Sequence, residues 1–141
     1  MLKNVLKHNQ LQNGVHEFIF LTNERHAIDY FFATLGAVFE CSPKDREICY
    51  IIDWSQSGVP SLNYMFLKTR EWGQKYRHVA PGRCIVIFDQ KGFMPIGKAL
   101  SMLIMDDARG KVEIMMEHID KRDEAVKWLL NKDTGEILAK A

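Results

Sequence analysis

Residues 48–55 read ICYIIDWS: five apolar positions in a row, Ile48, Cys49, Tyr50, Ile51 and Ile52, closed by Asp53, Trp54 and Ser55. An apolar run this short, rich in β-branched side chains, describes a strand buried on both faces, the usual condition of a central strand in a parallel sheet. Residues 83–89, RCIVIFD, repeat the form and end on Asp89. Residues 112–116, VEIMM, supply a further strand. Parallel neighbours need crossover connections of a dozen residues or more, and the intervals here are that long.

Those intervals carry a helical period. Within residues 24–39, Ile28, Phe31, Phe32, Leu35, Val38 and Phe39 recur at spacings of three and four and share one face. Asn23 is the expected N-cap, with Glu24 and Asp29 toward the positive end of the helix dipole. Over residues 61–76 the inward set is Leu62, Met65, Phe66, Thr69, Trp72 and Tyr76, and Lys68, Glu71 and Lys75 dress the solvated side. A third helix, from Met94 or Pro95 to about Asp106, should bury Ile96, Ala99, Leu100, Leu103 and Ile104. Asp120 is expected to cap a fourth over residues 121–131, with Ala125, Val126, Leu129 and Leu130 inward.

Ahead of these, residues 4–7 and 15–21 read as a hairpin turned at Asn13 and Gly14, which both tolerate positive φ. The expected fold is therefore α/β: a mixed sheet of about five strands, built from an opening hairpin and three strand–helix units, with about four helices. Residues 1–131 form a single domain in this reading, and residues 132–141 a tail or short helical extension.

With 141 residues, 47% hydrophobic and 26% charged, the chain has the makeup of one globular domain rather than a disordered segment. A net charge of +1 supplies no global field toward nucleic acid or an anionic membrane. No apolar run approaches the roughly 20 residues of a membrane span, so no stable membrane insertion is expected. His8, Asn9, Gln10 and Gln12 stand where a signal peptide would be apolar. Cys41, Cys49 and Cys84 are odd in number and lack a CxxC spacing, which fits thiols of a reducing, cytoplasmic setting.

Loops leaving the carboxyl ends of strands are where an α/β protein keeps its chemistry, because helix N-termini converge there. The loop after Asp53 holds Ser55, Ser57, Gly58 and Ser61, and Ser61 opens a helix whose dipole would favour an added phosphate. The plainer account is that Ser61 caps that helix and Ser57 stabilises a turn. Asp53, Asp89 and His118 lie at strand ends and compose an alternative acid–base site. The five histidines, His8, His16, His26, His78 and His118, lack the local spacings of a zinc site. No GxSxG, GxGxxG or GxxxxGK[ST] motif is present, so neither metal nor cofactor is expected. Lys68, Arg70, Lys75, Arg77 and Arg83 surround Trp72 and Tyr76. The aromatics are expected to face the core and the cations to be countered by Glu24, Asp29, Asp106 and Asp107, which argues against a nucleic-acid surface.

Taken in order, the hairpin, the first helix, ICYIIDWS, the helix from Ser61, RCIVIFD and EIMMEHIDKRDEAVKWLL resemble the STAS domain over residues 3–131. The closing DEAVKWLL, residues 123–130, is most similar to the SpoIIAA-like branch, the anti-sigma-factor antagonists. In that family a strand ending Asp-apolar-Ser precedes a phosphorylatable serine or threonine at the second helix's N-terminus. Asp53, Trp54 and Ser55 match the first part in modified form, and Ser61 is the nearest counterpart of the phosphoacceptor. Pro60, Leu62 and Asn63 depart from the usual run of acidic and small hydroxyl residues.

The resemblance implies a non-catalytic regulatory or protein-interaction module. Its surface would be Asp53, Trp54, Ser55, Ser57, Gly58 and Asn63, its switch Ser61, and its partner a kinase or an anti-sigma-like regulator. A homodimer through an edge strand or an exposed Trp54 is a further expectation. The competing expectation is a small enzyme, or a carrier of a lipid or other apolar ligand, with a pocket joining Asp53, Asp89 and His118.

Overall fold

Phe18 stands beside Ile52, Ile52 beside Val86 and Val86 beside Met116, a buried row that crosses four strands. The computed structural model describes residues 4–11, 13–43, 46–76, 82–107 and 112–130. Strands β1 (Leu6–Gln10), β2 (His16–Phe20), β3 (Ile48–Asp53), β4 (Gly82–Phe88) and β5 (Val112–His118) lie in sequence order in one sheet. The first pair is antiparallel and the others are parallel. Helices α1 (Arg25–Cys41), α2 (Leu62–Lys75), α3 (Met94–Asp107) and α4 (Arg122–Leu130) complete the mixed α/β fold. This is the five-stranded, four-helix arrangement that the sequence predicts.

Each of the three crossovers steps the same way along the sheet, so right-handed connections carry α1, α2 and α3 to one face. On that face Phe18, Phe20 and Ile52 meet Ile28, Phe31 and Leu35 of α1. Successive strand residues alternate faces, so Ile51, Ile85 and Ile87 point the other way, where Ala125 and Leu129 of α4 cover them.

The hairpin turns at Asn13 and Gly14 as expected, with Leu11 N–H donating to Val15 O and Gly14 N–H to Leu11 O, although β1 runs on to Gln10. Gly14 takes φ 85°, while Asn13 contributes through its side chain, accepting from Val15 N–H at 3.1 Å. The N-cap of α1 is Glu24 rather than Asn23, because Thr22 Oγ1 accepts from Glu24 N–H at 2.9 Å and fixes the entry one residue later. Met65 alone is buried on α2; Trp72 and Tyr76 are half-buried, and Trp72 meets Phe39 of α1 edge-on at 4.9 Å.

Helix α3 is rotated from the expected face. Ile96 is 55% exposed and Ala99 is exposed, whereas Gly97 and Ser101 are buried. The cause is Phe93, which ends a 3₁₀ turn over Lys91–Phe93 and packs on Phe88 at 5.0 Å; a Cβ four residues later, at Gly97, would sit 2.8 Å from its ring, so that position must be small. The side chains of Leu100, Leu103 and Ile104 lie outside the described ones. Leu130 is exposed, and Asp120 does not cap α4, because a 3₁₀ turn over Ile119–Lys121 intervenes. Asn131 and residues 132–141 lie outside the described residues. Among the described residues no helix is long and apolar enough to cross a membrane.

Candidate functional site: the loop from Asp53 to the start of α2

The loop after β3 is pinned at its first step, where Trp54 N–H donates to Ile87 O of β4 at 2.7 Å. Asp53 is buried, and its Oδ1 accepts from Ser55 N–H at 2.8 Å and from Ser55 Oγ at 2.6 Å, closing an Asx turn. Gly58 continues the turn with φ 77°, its N–H donating to Trp54 O, and Ser57 Oγ donates to Gly58 O at 2.8 Å. Pro60 is buried, and the chain emerges at Ser61.

Trp54 does not reach the surface. Its side chain is 1% exposed and lies on the α1 face, edge-on to Phe20 and to Phe93, each at 6.2 Å. Trp54 directly follows β3 with Ile52 before it on the same face, and the alternation of the strand carried one residue further puts it in the core. An exposed Trp54, as a partner contact or a dimer seed, is thus replaced by a core residue. Asp53 is likewise committed to the loop's own geometry. Among the residues singled out in this loop, Ser61 and Asn63 are exposed, as is Gln56, with Ser55, Ser57 and Gly58 half-buried.

Ser61 is the N-cap of α2, its Oγ accepting from Tyr64 N–H at 3.4 Å. The plainer account of Ser61 therefore holds as structure, through a long bond. The first turn of α2 contains no acidic side chain, so the positive end of the helix has no carboxylate of its own. Around Tyr64 the start of α2 meets α1. Tyr64 Oη donates to Asp29 Oδ1 at 2.5 Å, Arg25 lies 4.8 Å over the Tyr64 ring, and Lys68 Nζ stands 3.9 Å from Asp29 and 3.5 Å from Glu71. The Asp29 bond pushes the Tyr64 hydroxyl pKa up, and Glu71 does the same for Lys68.

The alternative trio is divided between the two faces of the sheet. Asp53 shares a row with Ile87 and Glu117 on the α4 side. His118 shares the other side with Phe88, whose ring it meets edge-on at 6.3 Å. Its Nε2 lies 2.8 Å from Asp89 O, and its Nδ1 accepts from Asp120 N–H at 3.2 Å, so the imidazole ties two loops together. Asp53 therefore does not converge on His118, as one acid–base site would require. An open groove of about 290 Å³ lies between α1 and α2 instead, lined by Asp29, Phe32, Lys68, Glu71, Trp72 and Tyr76 among others. None of Asp53, Asp89 or His118 borders it.

Two of the five cations of the basic segment are seen paired within the fold. Lys68 pairs with Asp29 and Glu71, and Arg83 is 3% exposed and paired with Glu113 at 3.0 Å. Arg77 and His78 lie outside the described residues. Among the described residues no three histidine, cysteine or acidic side chains gather as a metal site. Local spacing does not reveal one other juxtaposition, that of His8 with His16, whose facing nitrogens are 2.9 Å apart across the hairpin. The chain matches no family model, no curated protein and no solved structure.

Proposed function

We propose that the chain is a STAS-like, non-catalytic regulatory module of the SpoIIAA-like kind, which presents the loop over residues 53–63 and the start of α2 to a protein partner. Phosphorylation of Ser61 would control docking. The observation that carries this reading is the exposed Ser61 hydroxyl at the head of a helix of 14 residues with no acid in its first turn. A phosphate there would meet free N–H groups and the positive end of the dipole, while adding bulk and about two negative charges to the docking edge. The rest of the loop supports the reading, since bonds from Ser55 and Gly58 hold a fixed shape behind a small polar surface.

The test is intact-mass and fragment analysis of the chain isolated from its own cells, with size-exclusion profiles of lysates containing Ser61→Ala or Ser61→Glu. Support would be a species about 80 Da heavier with the modification at Ser61, together with a complex that survives Ser61→Ala and is lost in Ser61→Glu. An unmodified Ser61 in every growth phase, with identical profiles for both variants, would overturn it.

A further inference from the structure

We infer that the outward face of α3, formed by Ile96, Ala99 and Met102, is a homodimer surface on which a second copy of this chain packs its own α3, antiparallel, about a two-fold axis at Ala99. The inference goes beyond the reading proposed for Ser61 and does not depend on it.

Helix α3 packs on β5 with its apolar stripe turned outward. Successive helical residues turn by about 100°, so Gly97 and Ser101, both buried, stand about 160° from Ala99 on either side. Ala99 therefore points directly away from the sheet, with Pro95, Ile96 and Met102 within about 60° of it. All four are exposed, Met102 by 67%. A helix that only covers a sheet shows the inverse, apolar inside and polar outside. The inversion is enforced from beneath, where a Cβ on Gly97 would strike the Phe93 ring. The chain beyond Leu130 sets out from the opposite face of the sheet, where α4 ends.

The stripe is complementary to itself. Its two large residues stand three positions to either side of a small one. In an antiparallel pair centred on Ala99, Ile96 of each copy comes level with Met102 of the other. The two alanines meet at the axis, where their lack of bulk lets the helices close to about 8 Å. Such a contact is isologous, with residue i on j and j on i. Lys98 is exposed about 100° from Ala99, at the margin of the stripe.

Charge selects the same direction. Helix α3 has no acidic residue in its first turn and no basic residue in its last, and it ends on Asp106 and Asp107, where the dipole is already negative. The register centred on Ala99 brings those two positions level with Gly92 and Lys91 of the other copy, beside the positive end of its helix. A parallel pair would instead set like ends together.

The experiment is sedimentation equilibrium of the full chain, for wild type, Ala99→Arg, Met102→Lys, the double variant Ile96→Glu with Met102→Lys, and Tyr30→Glu as a control at another exposed apolar residue. Wild type and Tyr30→Glu should reach the mass of a dimer as concentration rises to the millimolar range. Ala99→Arg sets two cations together at the axis, and Met102→Lys sets a cation on Ile96; each should weaken the dimer by at least about a hundredfold. The double variant should restore it, because each lysine then stands level with a glutamate of the other copy. Within one chain those two residues are six apart and do not face each other. The substituted positions are exposed, so the fold should hold, which circular dichroism checks; if Ala99→Arg fails to fold, Met102→Lys and the double variant carry the test. A wild type still monomeric at millimolar concentration, a dimer that persists in the folded single α3 variants, or a double variant that stays monomeric would each overturn the assignment.

Discussion

Arg83 lies with its guanidinium 4.1 Å above the ring of Trp128 and donates to the main-chain oxygens of Trp128 at 3.3 Å and Leu129 at 3.5 Å. A cation from the middle of the sheet thus holds the last turn of α4, where the dipole is negative and carbonyls lack helical partners. Arg122 makes a second tie from the first residue of α4, bonding Glu17 of β2 at 2.6 Å. The two arginines fix both ends of the only helix seen on that face among the described residues.

Arg83→Met should therefore lower stability by about 1–3 kcal/mol, because buried carbonyl oxygens lose their donor while Glu113, 57% exposed, regains water. Arg83→Lys should recover only part of the loss, since an ammonium cannot reproduce the planar stack and the fork together. Urea unfolding reads both. A wild-type midpoint in Arg83→Met would show that Ala125, Leu129 and the Arg122 tie hold α4 without it.

Two glycines make opposite predictions from similar crowding. A Cβ on Gly97 would sit 2.8 Å from Phe93 Cε1, and Phe93 is buried against Phe88 and Trp54. Gly97→Ala should cost about 1–3 kcal/mol through overpacking, despite the better helix propensity of alanine. A Cβ on Gly36 would sit 2.5 Å from Tyr76 Oη, the tip of a half-buried side chain bonded to Glu40. That tip can swing outward, so Gly36→Ala should change stability by less than about 1 kcal/mol, the helix gain offsetting the lost bond. Equal effects at the two sites in thermal unfolding would refute the distinction.

The central strands were legible because period and burial agree there: Ile48 to Ile52 and Cys84 to Phe88 are apolar whichever face each residue takes. Helix α1 was legible because Ile28, Phe31 and Leu35 are large and regularly spaced. Helix α3 was misread because Ile96 and Ala99 match a helical stripe as well as Gly97 and Ser101 do. Only the position of Phe93, set by Phe88 and Trp54, decides between the two stripes. At the candidate site the Asx turn and the Ser61 cap follow from local chemistry. The burial of Trp54 and the separation of Asp53 from His118 depend on strand alternation, and the meeting of His8 with His16 on a hairpin register that the turn alone leaves open.

The thiols should separate cleanly by reactivity. Cys41 is exposed, Cys49 half-buried and Cys84 buried, and burial pushes the Cys84 thiol up to about 12 despite a bond from Tyr50 that acts the other way. At pH 8 such a thiol is ionised in roughly one molecule in ten thousand. Ellman's reagent on the native chain should modify Cys41 quickly and Cys84 only through unfolding, so that Cys41→Ser removes the fast phase. A fast phase that persists in Cys41→Ser would contradict the assignment. The raised thiol also adds stability that is present below the unfolded value near ~8.5 and is lost as pH rises past it.

The hairpin pair gives stability a pH dependence of the opposite sign. Burial lowers the pKa of His8, and burial together with repulsion from His8 lowers that of His16. In the unfolded chain both titrate near ~6.5, so on acidification the unfolded state takes up protons before the folded state does. The pair's contribution is complete above that value and is lost as pH falls from there through the lower folded values; below both, the dependence flattens. A second proton on the pair would also set two cations 2.9 Å apart across the pairing of β2 with the five-residue edge strand β1, so loss of β1 pairing should accompany the fall. Urea unfolding of wild type from pH 7.5 to 5 should show a declining midpoint, and His16→Ala a shallower decline, since it removes one shifted group and the repulsion together. Hydrogen exchange at pH 5 should place the earliest loss of protection in β1. An unchanged slope in His16→Ala would assign the acid sensitivity to other groups.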